Sequence, residues 1–445
     1  MRANDRIIEW GVLFTVIFTC LAFGTMEVWS VAVMEVLVLI LLTIWATDMI
    51  GSGNIRLAKT PLNIPLLSLV AIPFFQLVPV PAFLLQHLSY NSYTFYLDTF
   101  RAVSMEMRAI NPISLYPHAA WNELFKLLSY AGLFFIIINN IRRERVKGLL
   151  RVMVGFGLLL AIFGIFQHLS GTGRIYWFRE RMPSFFGPFF NRNAFAGYIG
   201  MLIPLGLGLF VSSLPLDKRN HIHRPLFYLF ATVIMVVAIF LTLSRGGIIS
   251  LMIALSFFVL FYRSSKTGTR KPSVVLILLL IVFIYLVWIG ITPIIERLST
   301  LSHLGEVLEF RTEIWQATLP IFRDFSLLGT GLGSFEYVFP AYKPFGSYSI
   351  VTHAENDYLQ FLSETGVAGG ISAVLLISAL LRLGWKTTSK AEEGIKAGLI
   401  SGMIPVLTYG TAERMLYIPA IAILFTLYAA LICCIGSGIN ERHVQ

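Results

Sequence analysis

What most constrains this chain is a succession of apolar runs, each close to the roughly 20 residues a helix needs to cross the hydrocarbon core of a bilayer. They fall at 7–24, 28–47, 62–80, 123–141, 148–168, 194–214, 225–244, 246–262, 273–292, 357–384, 396–412 and 418–436. In lipid the backbone must satisfy its own polar groups, so runs of this length predict helices. The expectation is an all-α, polytopic membrane protein with about 12 transmembrane helices. Composition agrees: 56% apolar and 13% charged residues, with a mean hydropathy of +0.76, leave too little polar surface for a soluble protein. The first run, Ile7 to Phe23, is expected to persist as a span. Met26, Glu27 and Trp29 offer no small-residue cleavage site after it, and a second run follows at once. Without an internal repeat or a polar module, residues 1–445 read as a single integral membrane domain.

A net charge of +10 does not imply nucleic acid, because Lys and Arg sit in short tracts between apolar runs rather than on one soluble face. Alternate connections carry Arg56 and Lys59, then Arg142, Arg143, Arg145 and Lys147, then Lys218, Arg219 and Arg224, then Arg263, Lys266, Arg270 and Lys271, then Lys386 and Lys390. The positive-inside bias places these connections, and both termini, on the cytoplasmic side. The opposite side receives 81–122, 169–193, a large loop at 293–356 and a short segment around Glu413 and Arg414. Long connections concentrate function. The 293–356 loop reads as a partly helical cap. A helix is expected over Glu309 to Phe322 on the apolar positions Phe310, Ile314, Leu319 and Phe322, with Pro320 and Gly329 as breakers. Cys20, Cys433 and Cys434 fall inside apolar runs and read as packing residues.

The outward-facing segments hold Arg174, Arg179, Arg181, Arg192, Arg245, Arg297, Arg311, Arg323 and Arg414, with Lys343 almost their only lysine. The planar, permanently charged guanidinium forks suit phosphate or pyrophosphate. The competing use is pairing with Glu180, Glu296, Glu309, Glu313 or Asp324, or snorkelling to headgroups. Arg192 and Arg245 lie in short polar breaks beside spans. In Asn191-Arg-Asn193 the asparagine can cap the helix that follows while Arg192 projects toward whatever sits at its positive end. In Ser244-Arg-Gly-Gly247 the glycines permit a tight turn that leaves Arg245 at the membrane surface.

The densest polar constellation is His353-Ala-Glu-Asn-Asp-Tyr-Leu-Gln360, followed by Glu364, Gly366 and Gly370. On a helix, His353, Asn356, Gln360 and Glu364 would form one stripe entering the membrane. Such stripes are costly in lipid and usually line a cavity. Gly366 and Gly370 are expected to admit a neighbouring helix. His353 and Glu355 are close candidate proton acceptors beside an arginine-rich face, and either can serve as the base toward a sugar hydroxyl. Asn191, Asn356, Gln360 and Arg414 are the candidates for orienting substrate. No metal-ligand spacing appears; His221 and His223 fall on the expected cytoplasmic side, and neither a required metal nor another cofactor is expected.

Three patterns in this order resemble the bacterial O-antigen ligase and O-antigen polymerase family: Asn191-Arg-Asn-x-Phe-Ala-Gly197, Ser244-Arg-Gly-Gly247, and His353-x-x-Asn-Asp-Tyr-Leu-Gln360 with Glu364-x-Gly366. Arg311-x-x-Ile-Trp315 and Gly329-x-Gly-x-Gly333 resemble its large outer loop. The resemblance implies a helical, GT-C type glycosyltransferase of the bacterial inner membrane, with its site on the periplasmic side. Its donor would be an undecaprenyl-pyrophosphate glycan, its acceptor a lipid A core or a second lipid-linked glycan, and it would work with inversion and without a metal. Protein Ser or Thr is a further acceptor among relatives. Arg192, Arg245 and Arg311 would hold the pyrophosphate. In the family's ligase motif a histidine stands eleven residues before the glycine that Gly366 matches. Here that position is Glu355, and the histidine stands two residues earlier, at His353, so the base stays open between them. A transporter or flippase would instead show matching halves and polar groups at mid-bilayer.

Overall fold

The computed structural model describes residues 3–53, 57–180, 184–214, 223–264, 301–343, 350–385 and 390–436. The expected span 273–292 lies outside them, as do Arg56, Arg181, Lys218, Arg219, His221, Lys266, Arg270, Lys271, Glu296, Arg297 and Lys386. The described chain is overwhelmingly helical. The long helices are α1 (Ala3–Leu21), α2 (Val28–Ser52), α3 (Asn63–Leu77), two short helices α4 (Ala82–Leu88) and α5 (Tyr90–Ala102), then α6 (Pro117–Asn140), α7 (Arg143–Leu169), α8 (Arg192–Ser213), α9 (His223–Leu241) and α10 (Arg245–Ser264). They are followed by α11 (Leu301–Asp324), a single turn α12 (Phe335–Val338), α13 (Asp357–Trp385), α14 (Lys390–Tyr409) and α15 (Pro419–Gly436). Among these, α2, α6, α7, α8, α9, α10, α13 and α15 are long and apolar enough to cross a membrane. The protein is an all-α, multi-pass membrane protein. The only sheet among the described residues is a two-residue antiparallel pair, Val80–Pro81 with Ile110–Asn111, which pins the ends of the 81–122 connection together.

Helix α8 is the axis of the bundle. Every residue from Ala194 to Val211 is buried, as expected of a helix apolar on all sides. Its closest neighbour is α14, and glycines set their separation. A Cβ on Gly208 would lie 2.3 Å from the Gly394 carbonyl, and one on Gly398 would lie 2.7 Å from that of Pro204. Small residues let backbones approach in this way where lipid removes the hydrophobic incentive to associate.

The two ends of the bundle differ in chemistry. At one end the basic connections meet acidic residues: Arg143 holds Glu392 at 2.6 Å, Arg142 approaches Asp5 at 3.9 Å, and Arg145 pairs with Glu9. At the other end lie the starts of α8, α10, α13 and α15 and a small second core. Leu115, Ile314, Ala317, Ile321, Phe325, Phe335, Val338, Phe339 and Ala354 form that core. It is the packed interior of the partly helical cap.

Two expectations for the cap are corrected. The helix expected over Glu309 to Phe322 extends over Leu301–Asp324 and passes through Pro320; a proline there removes one hydrogen bond near the helix end without stopping it. Its buried face is Ile314, Ala317, Thr318 and Ile321, while Phe310 and Leu319 are exposed. Tertiary partners chose that face: Phe335, Phe339 and Ala354 lie on the side of Ala317 and Ile321.

The segment Gly329-x-Gly-x-Gly333 has a specific partner. Helix α13 breaks at Gly366, whose φ of 65° and ψ of −165° belong to glycine alone. Into that break the cap lays the backbone of a turn: Thr330 N–H donates to Ser363 O at 3.0 Å and Gly331 N–H to Glu364 O at 3.0 Å, while Val367 N–H donates to Ser326 O at 2.8 Å. Gln76 of α3 stitches the same place, its Nε2 donating to Glu364 O at 2.8 Å and its Oε1 accepting from Leu332 N–H at 3.1 Å. Gly366 therefore admits the 326–328 backbone rather than a neighbouring helix: a Cβ there would sit 2.4 Å from the Leu327 carbonyl carbon.

Candidate active site

The expected helical stripe is built differently. Helix α13 begins at Asp357, with Asn356 ahead of it as its cap. The Asn356 Oδ1 accepts from Tyr358 N–H at 3.0 Å and Leu359 N–H at 3.1 Å, and its Nδ2 donates to Thr411 O at 2.8 Å. His353 lies in the preceding loop and is brought back over α13 because Glu355 takes a left-handed φ of 51°. Strain of this kind in a non-glycine residue is concentrated at functional sites.

Gln360 then fixes the state of His353. Its Oε1 accepts from Ala354 N–H at 3.1 Å, so its Nε2 faces both Glu364 Oε1 at 3.1 Å and His353 Nδ1 at 3.2 Å. An amide nitrogen can only donate, so Nδ1 is the acceptor and the neutral ring carries its proton on Nε2. Burial, then the charge of Arg414, pushes the imidazole down to about 3. His353 is therefore a neutral ring whose basic lone pair is already engaged. Tyr417 closes this network by donating to Glu364 Oε2 at 2.5 Å, and burial with the Glu364 charge holds its hydroxyl in the protonated form.

Glu355 behaves in the opposite way. Burial, a hydrogen bond shared with Glu413 and the charge of Glu413 raise its carboxyl to about 8, against the pull of Arg414 and Arg311. Two carboxyls this close cannot both ionise freely. Glu413, 3% exposed, is the centre of the cluster: it accepts from Asn193 Nδ2 and from Arg311 at 3.2 Å, and Arg311 also donates to Ala412 O at 2.6 Å. Asn193 is in turn held by Ser244, whose Oγ donates to Asn193 Oδ1 at 2.9 Å and lies 2.9 Å from Tyr409 OH. The starts of α8 and α10, the helix α11 and the connection between α14 and α15 thus converge on one buried carboxyl.

The expected site residues sort as follows. Asn191 caps α8, its Oδ1 accepting from Asn193 N–H at 2.8 Å. Arg192 and Arg245 are the first residues of α8 and α10. Arg414 lines a pocket of about 40 Å3 with Asn191, Glu413, Phe23, Phe189 and Phe190. Among the described residues the side chains of Arg192, Arg245 and Arg414 have no hydrogen-bond or ion-pair partner, whereas Arg311 is committed to Glu413. Arg192 and Arg245 each stand at a helix N-terminus, where free N–H groups and the helix dipole favour an anion, and Arg414 acts on the Glu355 carboxyl. Sequence reasoning missed Glu413, Asn193, Tyr409 and Tyr417 as site residues. Two of them carried a signal: Asn193 lies in the Asn191-Arg-Asn193 motif, and Glu413 is a carboxylate next to an arginine in a short gap between two apolar runs.

Residues 230–374, about a third of the chain, match the family model described as O-antigen ligase. Among curated proteins, none matches the chain. The matched region runs from within α9 to within α13 and holds Arg245, Arg311, His353, Glu355, Asn356 and Gln360. The fold adds Asn191, Arg192, Glu413 and Arg414 from outside it. Over residues 230–374 the chain is thus similar to the O-antigen ligase family, and that match supports the resemblance carried by its motifs.

Proposed function

We propose that the chain transfers a glycan from an undecaprenyl-pyrophosphate donor to an acceptor hydroxyl, as an inverting, metal-independent O-antigen ligase of the inner membrane acting on a lipid A core at the periplasmic face. One observation carries the reading: the Glu355 and Glu413 carboxyls share a hydrogen bond within the field of Arg414 and Arg311, at the end of the bundle where α8 and α10 begin with Arg192 and Arg245, in a chain whose residues 230–374 match the O-antigen ligase model. Arg192, Arg245 and Arg414 hold the donor pyrophosphate, and Arg311 holds Glu413 in place. Charge that develops on the pyrophosphate as the anomeric carbon–oxygen bond breaks is met by fixed cations, which need no reorganisation at that moment.

Glu355 is the base. Its raised carboxyl titrates near the working pH, where proton transfer is most effective, while His353 has no free lone pair. In a single displacement the acceptor oxygen attacks the anomeric carbon, its proton passes to the Glu355 carboxylate, and the lipid pyrophosphate departs with the bonding pair. His353 offers its Nε2–H to orient the acceptor, and Asn356 and Gln360 hold the backbone and ring that carry these groups.

Transfer in proteoliposomes tests this, with an undecaprenyl-pyrophosphate oligosaccharide, a chelator, and either lipid A core or a second donor molecule as acceptor. Glu355→Gln is expected to lower the rate about 10²–10⁴-fold, the range for loss of a general base, while His353→Gln, which can still donate, retains more activity than His353→Ala. Near-normal transfer by Glu355→Gln alongside a dead His353→Gln would return the base to His353. Transfer only to the second donor would make the protein a polymerase, and movement of the donor across the bilayer without transfer would make it a flippase.

A further inference from the structure

A second cavity, of about 170 Å3, opens on the far side of His353. Its walls come from α6 (Asn122, Glu123), from the 333–337 segment (Glu336, Tyr337), from Thr352 and His353, and from Gln360, Glu364 and Tyr417. It shares no residue with the pocket of Asn191, Glu413 and Arg414. At about 30 Å3 per water, this is roughly the volume of five or six waters, the room one sugar ring needs.

The lining decides what kind of ring. No lysine or arginine lines it, and three carboxyl groups do. Two of these are spoken for: Glu123 is paired with Lys126, and Glu364 accepts from Tyr417, Gln360 and Phe335 N–H. Glu336 is exposed and, like the Asn122 amide and the Thr352 hydroxyl, has no partner among the described residues. With His353 Nε2–H, the open groups are therefore one donor, one acceptor and two that are both, the mixture that successive hydroxyls of a sugar require. Beside them Tyr337 lies stacked on Tyr116, centroids 3.7 Å apart and planes 19° from parallel, and is 51% exposed. A rigid aromatic face with hydroxyl-bonding groups around it is built for a flat apolar ring face with a polar edge. The unneutralised carboxylate repels a phosphate.

We infer that this cavity is the acceptor subsite and takes one uncharged, unphosphorylated sugar ring, seated on Tyr337 and held by Asn122, Glu336, Thr352 and His353. The inference rests on the transfer reading for the word acceptor. In an inverting displacement the attacking and leaving groups stand on opposite sides of the anomeric carbon; here Arg414 and this cavity lie on separate linings, with His353 on the lining of the cavity and Glu355 two residues along.

The test is saturation-transfer NMR on the full-length protein in detergent, with methyl glucoside and glucose 6-phosphate as probes, on wild type, Glu355→Gln, Tyr337→Ala and Asn122→Leu. Methyl glucoside is expected to bind wild type and Glu355→Gln equally, to bind Tyr337→Ala and Asn122→Leu about tenfold more weakly as a stacking or hydrogen-bonding contact is lost, and to outcompete glucose 6-phosphate. Both lining residues are exposed, so unchanged thermal unfolding of their variants separates lost binding from lost folding. Methyl glucoside binding that ignores both lining substitutions, or equal or tighter binding of the phosphate, overturns the inference. Binding that follows these residues in a protein that transfers no glycan would keep the cavity as a sugar site and remove the transfer reading; transfer lost in Glu355→Gln with no sugar in the cavity would do the reverse.

Discussion

At the scale of single residues, the two candidates for the base are separated by what already touches them. His353 has its acceptor nitrogen turned to the Gln360 amide, while Glu355 has a carboxyl for a neighbour. The sign of the pH dependence follows. Glu355 rises from an ordinary value of 4.5 to about 8, so its active carboxylate accumulates as pH climbs through that range. Transfer should increase from pH 6 to 9. The same raised value means that the fold holds the proton more tightly than the unfolded chain, so stability present below 4.5 is lost as pH rises through 8. His353, lowered from 6.5 to about 3, contributes in the other direction, its stability present above 6.5 and lost as pH falls toward 3. Glu413→Gln removes the charge that opposes ionisation of Glu355, and the midpoint of the pH–rate profile should move to lower pH; an unmoved midpoint would separate the two carboxyls. Much of this site was legible in the sequence by residue type: Asn191, Arg192, Arg245, Arg311, His353, Glu355, Asn356, Gln360 and Arg414 all lie at the same end of the bundle. Which arginines are neutralised was not, because the carboxylate that takes Arg311 lies 102 residues away and no local spacing reports it.

At the scale of elements, the apolar runs among the described residues translated directly into helices because a backbone in lipid has few alternatives. The cap did not. Its helix chose a face and a length that depend on Phe335, Phe339 and Ala354, and its glycine-rich segment is defined by a break in α13 far along the chain. The periodicity that marks a helix cannot announce that a glycine-rich turn will be laid into another helix's gap. Gly366→Ala should therefore act on the cap more than on α13 itself. The mirror-region backbone costs about 1–3 kcal/mol for a residue with a side chain, and the added Cβ meets the Leu327 carbonyl carbon at 2.4 Å. The expected result is faster tryptic cleavage at Arg323, next to the 325–331 segment, with the far-ultraviolet helical signal largely kept. Cleavage at the wild-type rate would show that the lacing contributes little.

At the scale of the whole molecule, the buried pair α8 and α14 joins the two ends. Both helices finish at the site, α8 starting at Arg192 and Asn193 and α14 ending at Tyr409 just before Glu413, and their middle is fixed by glycine contacts. Gly398→Val should lower the melting temperature in detergent and the transfer rate together, since a wedge between the backbones tilts Asn193 away from Glu413. Loss of transfer with an unchanged melting temperature would deny that the pair sets the site. The pairing of Asn193 with Glu413 spans 220 residues, and this fixes an order of events during synthesis. Asn193 and Arg311 can enter the membrane while the ribosome still holds α14 and α15, yet the carboxyl they meet arrives only when those helices are threaded in. A nascent chain can therefore carry most of the bundle before Asn193 and Arg311 meet their carboxyl, and this end of the molecule is completed only by the hairpin of α14 and α15.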